Sequence, residues 1–153
     1  MGGRMLRLKG DGLSLAWPVP KHRPTGDIDI FLFGKQQEAD ERLQARFGVE
    51  IDNSHHKHSV FQLGQTMEEN HYSFLNVHAH RSTAEIEAIL QGQLDEVEPS
   101  GIANVSLPSA RFNSLYLLRN SVEHFDSVYI SLLIVWDWAF YVRRHPVDWP
   151  WLL

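Results

Sequence analysis

Cysteine is absent from all 153 residues. That excludes disulfides, thiolate metal sites and a cysteine nucleophile, and it suits a reducing, cytoplasmic setting. Basic residues are in deficit, with 14 Lys and Arg against 19 Asp and Glu, a net charge of −5. Nucleic-acid binders usually carry a basic face that displaces phosphate counterions, so no nucleic-acid partner is expected. The one basic cluster, Lys21 to Arg23, lies among Pro18, Pro20 and Pro24 and reads as a solvated loop. No apolar run is long enough for a bilayer. The longest, Val128 to Val142, is short and is broken by Asp137. Arg4, Arg7 and Lys9 are followed by no apolar stretch, so no signal peptide is read there and no membrane is expected. Also missing are a Gly-x-Ser-x-Gly elbow, a phosphate-binding glycine loop, a dinucleotide fingerprint and any internal repeat.

What is present predicts a single α+β domain over 1–153, with a mixed or mainly antiparallel sheet and two or three helices packed on one face. The hydrophobic fraction of 43% is ordinary for a globular chain. Met5–Leu8 and Leu13–Trp17 alternate around Gly10-Asp11-Gly12, which predicts a hairpin. Residues 18–26 form a proline-rich loop that cannot pair in a central strand. Ile28–Phe33 predicts a strand, and Gln36–Phe47 an amphipathic helix with Ala39, Leu43 and Phe47 on its buried stripe and Gly48 as its cap. A short strand is expected to begin at Val49–Ile51. Strands are predicted at Val60–Leu63 and His71–His80, with 64–70 as the connection. Ser82 and Glu85 have capping-box spacing at the start of a second helix. Ile102–Leu107 suggests a strand. Pro108–Phe125 fits either class, with helix preferred. Val128 to Val142 is apolar at every second position and rich in β-branched and aromatic residues, which predicts a central strand with a bend near 136–139. Residues 145–153 read as an extended Trp-rich tail.

The histidines are the first candidate chemistry. His55, His56 and His58 cluster in a predicted loop, His71 opens a predicted strand, and His78 and His80 share one face of it. Two histidines spaced two apart on a strand can reach one ion, and imidazole nitrogen ligates divalent transition metals. His78-Ala79-His80, with Glu85 and Gly92 beyond, resembles part of the metal-binding signature of the cupin family. The next candidates are carboxylates. Gly26-Asp27-Ile28-Asp29-Ile30-Phe31 resembles the metal-binding strand of nucleotidyltransferase-fold proteins, which implies a divalent cation held for phosphoryl transfer. That family also has a Gly-Ser pair on a preceding helix and a third carboxylate on a later strand; here the proline loop precedes the strand and has no Gly-Ser. Asp137, between Trp136 and Trp138, is expected to bond a neighbour such as Arg143 or Arg144. Trp149 and Trp151 are the candidates for an exposed contact, because tryptophan is enriched at interfaces.

By elimination, these features favour a non-catalytic interaction domain, of the kind seen in bacterial inhibitor or immunity proteins. Its acidic surface would meet a basic protein partner, Trp149, Trp151 and Asp137 would supply contacts, and a homodimer is compatible with the same surface. The alternative is a histidine-ligated metal-binding protein or metalloenzyme using the His-x-His strand. A degenerate nucleotidyltransferase-like domain ranks third.

Overall fold

The computed structural model describes residues 3–24, 26–127 and 131–153. Strands β1 (Met5–Arg7), β2 (Ile28–Phe31), β3 (His58–Leu63), β4 (Thr66–His71), β5 (Val97–Pro99) and β6 (Val105–Pro108) form one sheet in the order β3-β4-β2-β1-β6-β5. The sheet is mixed. β2 runs parallel to β4, and β1 parallel to β6; the remaining neighbours are antiparallel. The α+β class is therefore as expected. Helices α1 (Asp11–Ser14), α2 (Gln36–Phe47), α3 (Arg81–Gln91), α4 (Ala110–Ser127), α5 (Leu132–Arg144) and α6 (Trp149–Leu152) complete the described elements. None is long and apolar enough to cross a membrane.

Side chains alternate across a strand, so β2 sends Asp29 and Phe31 to one face of the sheet and Ile28 and Ile30 to the other. Pairing extends the first face: Leu6 lies beside Phe31, Glu69 beside Asp29, and His58 beside His71. Helix α4 covers this face. Phe31 and Phe112 both pack on Phe74, at centroid distances of 4.8 and 4.9 Å, and Tyr116 closes on Phe112 at 5.5 Å. Helix α4 starts where the Ser109 hydroxyl accepts from the Phe112 N–H, and Phe112, Tyr116 and Asn120 recur at helical spacing on its buried side. Helix α2 lies on the opposite face, where Asp40 accepts hydrogen bonds from Ser59 Oγ and Asn70 Nδ2, both 2.7 Å.

Helix α2 matches the sequence reading, and Gly48 closes it in the left-handed conformation at φ 64°. Its apolar stripe is less buried than expected: Phe47 is exposed, and Ala39 and Leu43 only half-buried.

Several expected elements are replaced. The segment read as a central C-terminal strand is helix α5 from Leu132 onward, and Val128 to Ile130 lie outside the described residues. The Ser131 side chain accepts from the Leu133 N–H and caps it. Asp137 and Tyr141, four apart, are its buried positions, so helical spacing wins over the period-two alternation. The tail at 145–153 ends in the α6 turn, capped by Asp148.

Strand β4 occupies much of the predicted connection 64–70, joined to β3 through Gly64-Gln65 in a tight hairpin. It ends at His71, so 72–80 is loop. Helix α3 has His80 as its N-cap with no side-chain cap bond, in place of the Ser82–Glu85 box. No strand forms at Val49–Ile51; Asp52 alone bridges to Val60. Gly10 (φ 79°) turns the chain into α1 instead of a hairpin, and β1 pairs with β2. A Cβ at Gly10 would lie 3.3 Å from the Asp27 carbonyl, so the close approach there requires glycine.

The proline loop is fastened to α5 by one ion pair. Arg23 donates from Nε to Asp137 Oδ1 at 2.8 Å and from Nη2 to Oδ2 at 2.9 Å, and Trp17 Nε1 adds a bond to Oδ1 at 2.8 Å. Arg23 and Asp137 are both buried. Asp137 thus pairs with Arg23, not with Arg143 or Arg144, and is no surface contact. Removing one partner strands the other charge away from water. Asp137→Ala is expected to cost about 3–5 kcal/mol in urea unfolding, whereas Glu38→Ala, which opens the exposed Glu38–Arg42 pair, leaves stability almost unchanged.

Candidate active site

The charged end of the α4-covered face is built from adjacent strands. Lys9 follows β1, and Leu8 N–H donates to the Asp29 carbonyl at 2.9 Å, which brings the lysine beside β2. Its Nζ lies 2.9 Å from Asp29 Oδ1. From β4, His71 Nε2 reaches the same oxygen at 2.9 Å and Glu69 Oε2 at 3.3 Å. His71 Nδ1 lies 3.1 Å from the Ser73 carbonyl, which can only accept, so Nδ1 donates and the ring presents Nε2 to the two carboxylates. His58 stands next in the sheet, 4.9 Å from the His71 ring, with Nδ1 3.7 Å from Glu69 Oε2. Lys9, Asp29, Glu69 and His58 line a cleft of about 320 Å3, into which Asp27, Arg23, Lys57 and His124 also face, while His71 is fully buried.

The charges balance one another closely. Burial alone would raise Asp29, but the Lys9 ammonium and the His71 bond hold it well below the usual carboxylate range. Burial likewise opposes charge on His71, and its bonds to Asp29 and Glu69 prevail and raise it. Glu69, also raised by burial, is brought down by His71. His58 is pushed down to about 4, first by burial and then by the positive neighbours His71, Lys57 and His55, against the attraction of Glu69. Asp27 is pushed up by burial and by the charges of Glu69 and Asp29. Two of its neighbours are therefore anions that Lys9 only partly offsets.

Of the six histidines singled out from the sequence, His58 and His71 come together in one candidate ligand set, and the exposed His55 ring lies 4.9 Å from His58. With Glu69, His58 and His71 place one ligand atom each within 4.8 Å of the others. His55 and His56 sit in the exposed bend before β3, and His78 and His80 in the exposed loop before α3. His56 and His78 touch edge to face at 6.1 Å. The cupin resemblance fails on the fold: His78 and His80 are not on a strand, and Glu85 lies on a helix. Trp149 is exposed and meets Trp138 edge-on, and Trp151 lies under the Arg111 guanidinium.

Sequence reasoning missed Lys9, Arg23 and Glu69. Glu69 was hidden by the misplaced connection. Lys9-Gly10, at the end of an alternating strand, was the legible signal for the first.

The sequence model of a family described as an uncharacterised nucleotidyltransferase matches residues 2–153. The chain belongs to this family. No curated protein and no solved structure matches it. Membership in a nucleotidyltransferase family overturns the non-catalytic, immunity-type reading, which rested on finding no complete catalytic constellation. Glu69 lies on the neighbouring strand, in register with Asp29.

The His58 shift sets a pH dependence in metal-free, chelator-containing buffer. Unfolded, this imidazole takes a proton near 6.5; folded, it does so only near 4. Its stabilisation is therefore complete above pH 6.5 and lost as the pH falls toward 4. His71 has the opposite sign, stabilising below pH 6.5 and losing that contribution as the pH rises through its raised value. Unfolding free energies of wild type and His58→Gln, compared across about pH 4 to 7, should diverge. The wild type loses on the order of 2 kcal/mol relative to the variant as the pH falls. Parallel curves would sink the assignment.

Proposed function

We propose that the protein transfers a nucleotidyl group from a nucleoside triphosphate to an acceptor hydroxyl, with Asp27, Asp29 and Glu69 as ligands for a divalent cation. One observation carries this reading. Asp29 and Glu69 lie in register on adjacent parallel strands and face the same cleft as Asp27. By chemistry the donor set suits the ion, because three carboxylates offer only hard oxygen ligands, the type preferred by Mg2+ and Mn2+, whereas the set whose ligand atoms already lie within 4.8 Å of one another among the described residues is His58, Glu69 and His71. The raised Asp27 carboxyl is consistent with negative charge that such an ion would offset.

When bound, the cation would polarise the α-phosphate and favour ionisation of the attacking hydroxyl. The chain's own groups prepare for that. Lys9 and His71 both contact Oδ1 of Asp29 and so fix its carboxylate plane. The Ser73 carbonyl fixes the His71 ring in turn, the arrangement that orients acidic ligands from behind. Lys57 and Arg23 border the cleft, where cationic side chains attract the phosphates before any chemistry begins. The Arg23–Asp137 pair holds the loop that leads into Asp27.

The test is transfer or pyrophosphate release with each of the four α-labelled ribonucleoside triphosphates and Mg2+ or Mn2+. Asp29→Asn and Glu69→Gln should each lower the rate about 1000-fold, corresponding to about 4 kcal/mol of lost transition-state stabilisation. Their circular dichroism should remain that of the wild type. Turnover that persists in Asp29→Asn, or that is insensitive to chelator, would refute the reading.

A further inference from the structure

The acidic cleft is not the only cavity on this side of the sheet. A second one of about 400 Å3 adjoins it, and Lys57, His58 and His124 line both. The rest of its wall includes His55 and His56 ahead of β3, His80 at the start of α3, and Arg119 on α4. One carboxylate, Glu123, lines it. That group is already engaged, with Oε1 accepting from Asn76 N–H at 3.1 Å and Oε2 lying 3.5 Å from Lys57 Nζ. A chain of net charge −5 thus gathers cationic and imidazole groups at one place, beside its acidic site. The Arg119 fork is underused. Its Nη2 makes one long bond of 3.4 Å to Thr83 Oγ1, and its buried Nε has no hydrogen-bond partner among the described residues.

Nucleotidyl transfer needs two substrates whose reacting atoms nearly touch. A cleft of about 320 Å3 is at the small end for one drug-sized ligand, so triphosphate and acceptor cannot both occupy it. The neighbouring chamber shares a wall with it through Lys57, His58 and His124. We propose that this histidine-lined chamber is the acceptor site, and that its acceptor is a nucleotide with a phosphate and a free hydroxyl, either free or at the end of an RNA strand. The proposal rests on the nucleotidyltransferase reading above.

Three features favour that chemistry. The guanidinium fork matches a phosphate in two directions. The imidazole planes can stack on a base and hydrogen-bond its edges. The Arg119 guanidinium on the wall, which Glu123 does not pair, disfavours polyamine and aminosugar acceptors. The overall acidic balance, which argues against nucleic acid, does not describe this wall. In the step itself, the acceptor oxygen forms a bond to the α-phosphorus and the bond from that phosphorus to the bridging oxygen breaks. Pyrophosphate leaves with the electron pair, and the hydroxyl proton passes to solvent.

The test reads binding without turnover. Adenosine 5′-monophosphate is titrated into the full chain with α,β-methylene-ATP at saturation, and histidine ring signals are followed by NMR alongside calorimetry. The signals of His55, His56, His80 and His124 should shift. Adenosine without the phosphate should bind at least about tenfold more weakly, as should the monophosphate to Arg119→Ala. His80→Ala, an exposed change that leaves the core intact, should weaken binding several-fold. A short oligoadenylate that binds more tightly than the monophosphate marks a strand end, and equal affinity marks a free nucleotide. Adenosine binding as well as its monophosphate, or unchanged affinity in both variants, would overturn the proposal. Labelled transfer at the wild-type rate in Arg119→Ala would remove the acceptor assignment and leave the nucleotidyltransferase reading standing. Phosphate-dependent binding in the chamber with no transfer by wild type would remove the nucleotidyltransferase reading and with it the acceptor role, leaving a phosphate-binding chamber.

Discussion

A carboxylate buried in the middle of a sheet needs compensation, and the Asp29 carboxylate organises much of this fold. Moving a lone anion out of water costs several kcal/mol even after relaxation, so Asp29 persists only because Lys9 and His71 meet it at 2.9 Å each. Each partner has its own requirement. Lys9 must leave β1 beside β2, which calls for the left-handed turn at Gly10. His71 must sit in register on β4, parallel to β2, with its second nitrogen satisfied by Ser73. The loop that follows is fixed in turn: Glu87 of α3 accepts from the Phe74 and Leu75 N–H groups, which seats Phe74 against Phe31 and Phe112.

The same charges separate the two ends of this face. Phe31, Phe74, Phe112 and Tyr116 form a dry core, and one strand position away Asp29 begins the cleft. Alternation along β2 puts both on one face. A nucleotidyltransferase site needs both properties together: carboxylates near water, where a cation and phosphates can arrive, and a packed wall behind them that fixes their direction. The bidentate Arg23–Asp137 pair closes the arrangement from the loop side, where three prolines restrict the backbone but offer few hydrogen bonds of their own.

Local patterns were legible wherever one period dominated. Ile28–Phe31 could be read from alternation and Gln36–Phe47 from its stripe and glycine cap, and the Asp27-Ile28-Asp29 string pointed to the family whose model matches the chain. The C-terminal segment could not be read in this way. Apolar residues at nearly every position from Leu132 to Val142 satisfy both periods, and β-branched content tips the choice toward strand. What decides for helix is the Ser131 cap and the burial of Asp137 against Arg23, a partner 114 residues away. The histidines misled for a related reason. Placing a strand at His71–His80 concealed Glu69 in a connection, so its register with Asp29 went unrecognised.

His71 shows why composition alone could not assign this site. It was counted among metal-binding histidines because imidazole ligates transition metals, yet its environment gives it another task. With Nδ1 donating to a carbonyl and Nε2 between two carboxylates, it acts as a cation that positions acids. His58, one strand over, meets the opposite environment and stays neutral down to about pH 4. Two identical side chains 4.9 Å apart are thus shifted in opposite directions, one tied to the acidic cleft and the other on the wall it shares with the histidine chamber. That difference comes from burial of His58 and from the partners that two strands and a loop bring to His71, and only the folded sheet brings those partners together.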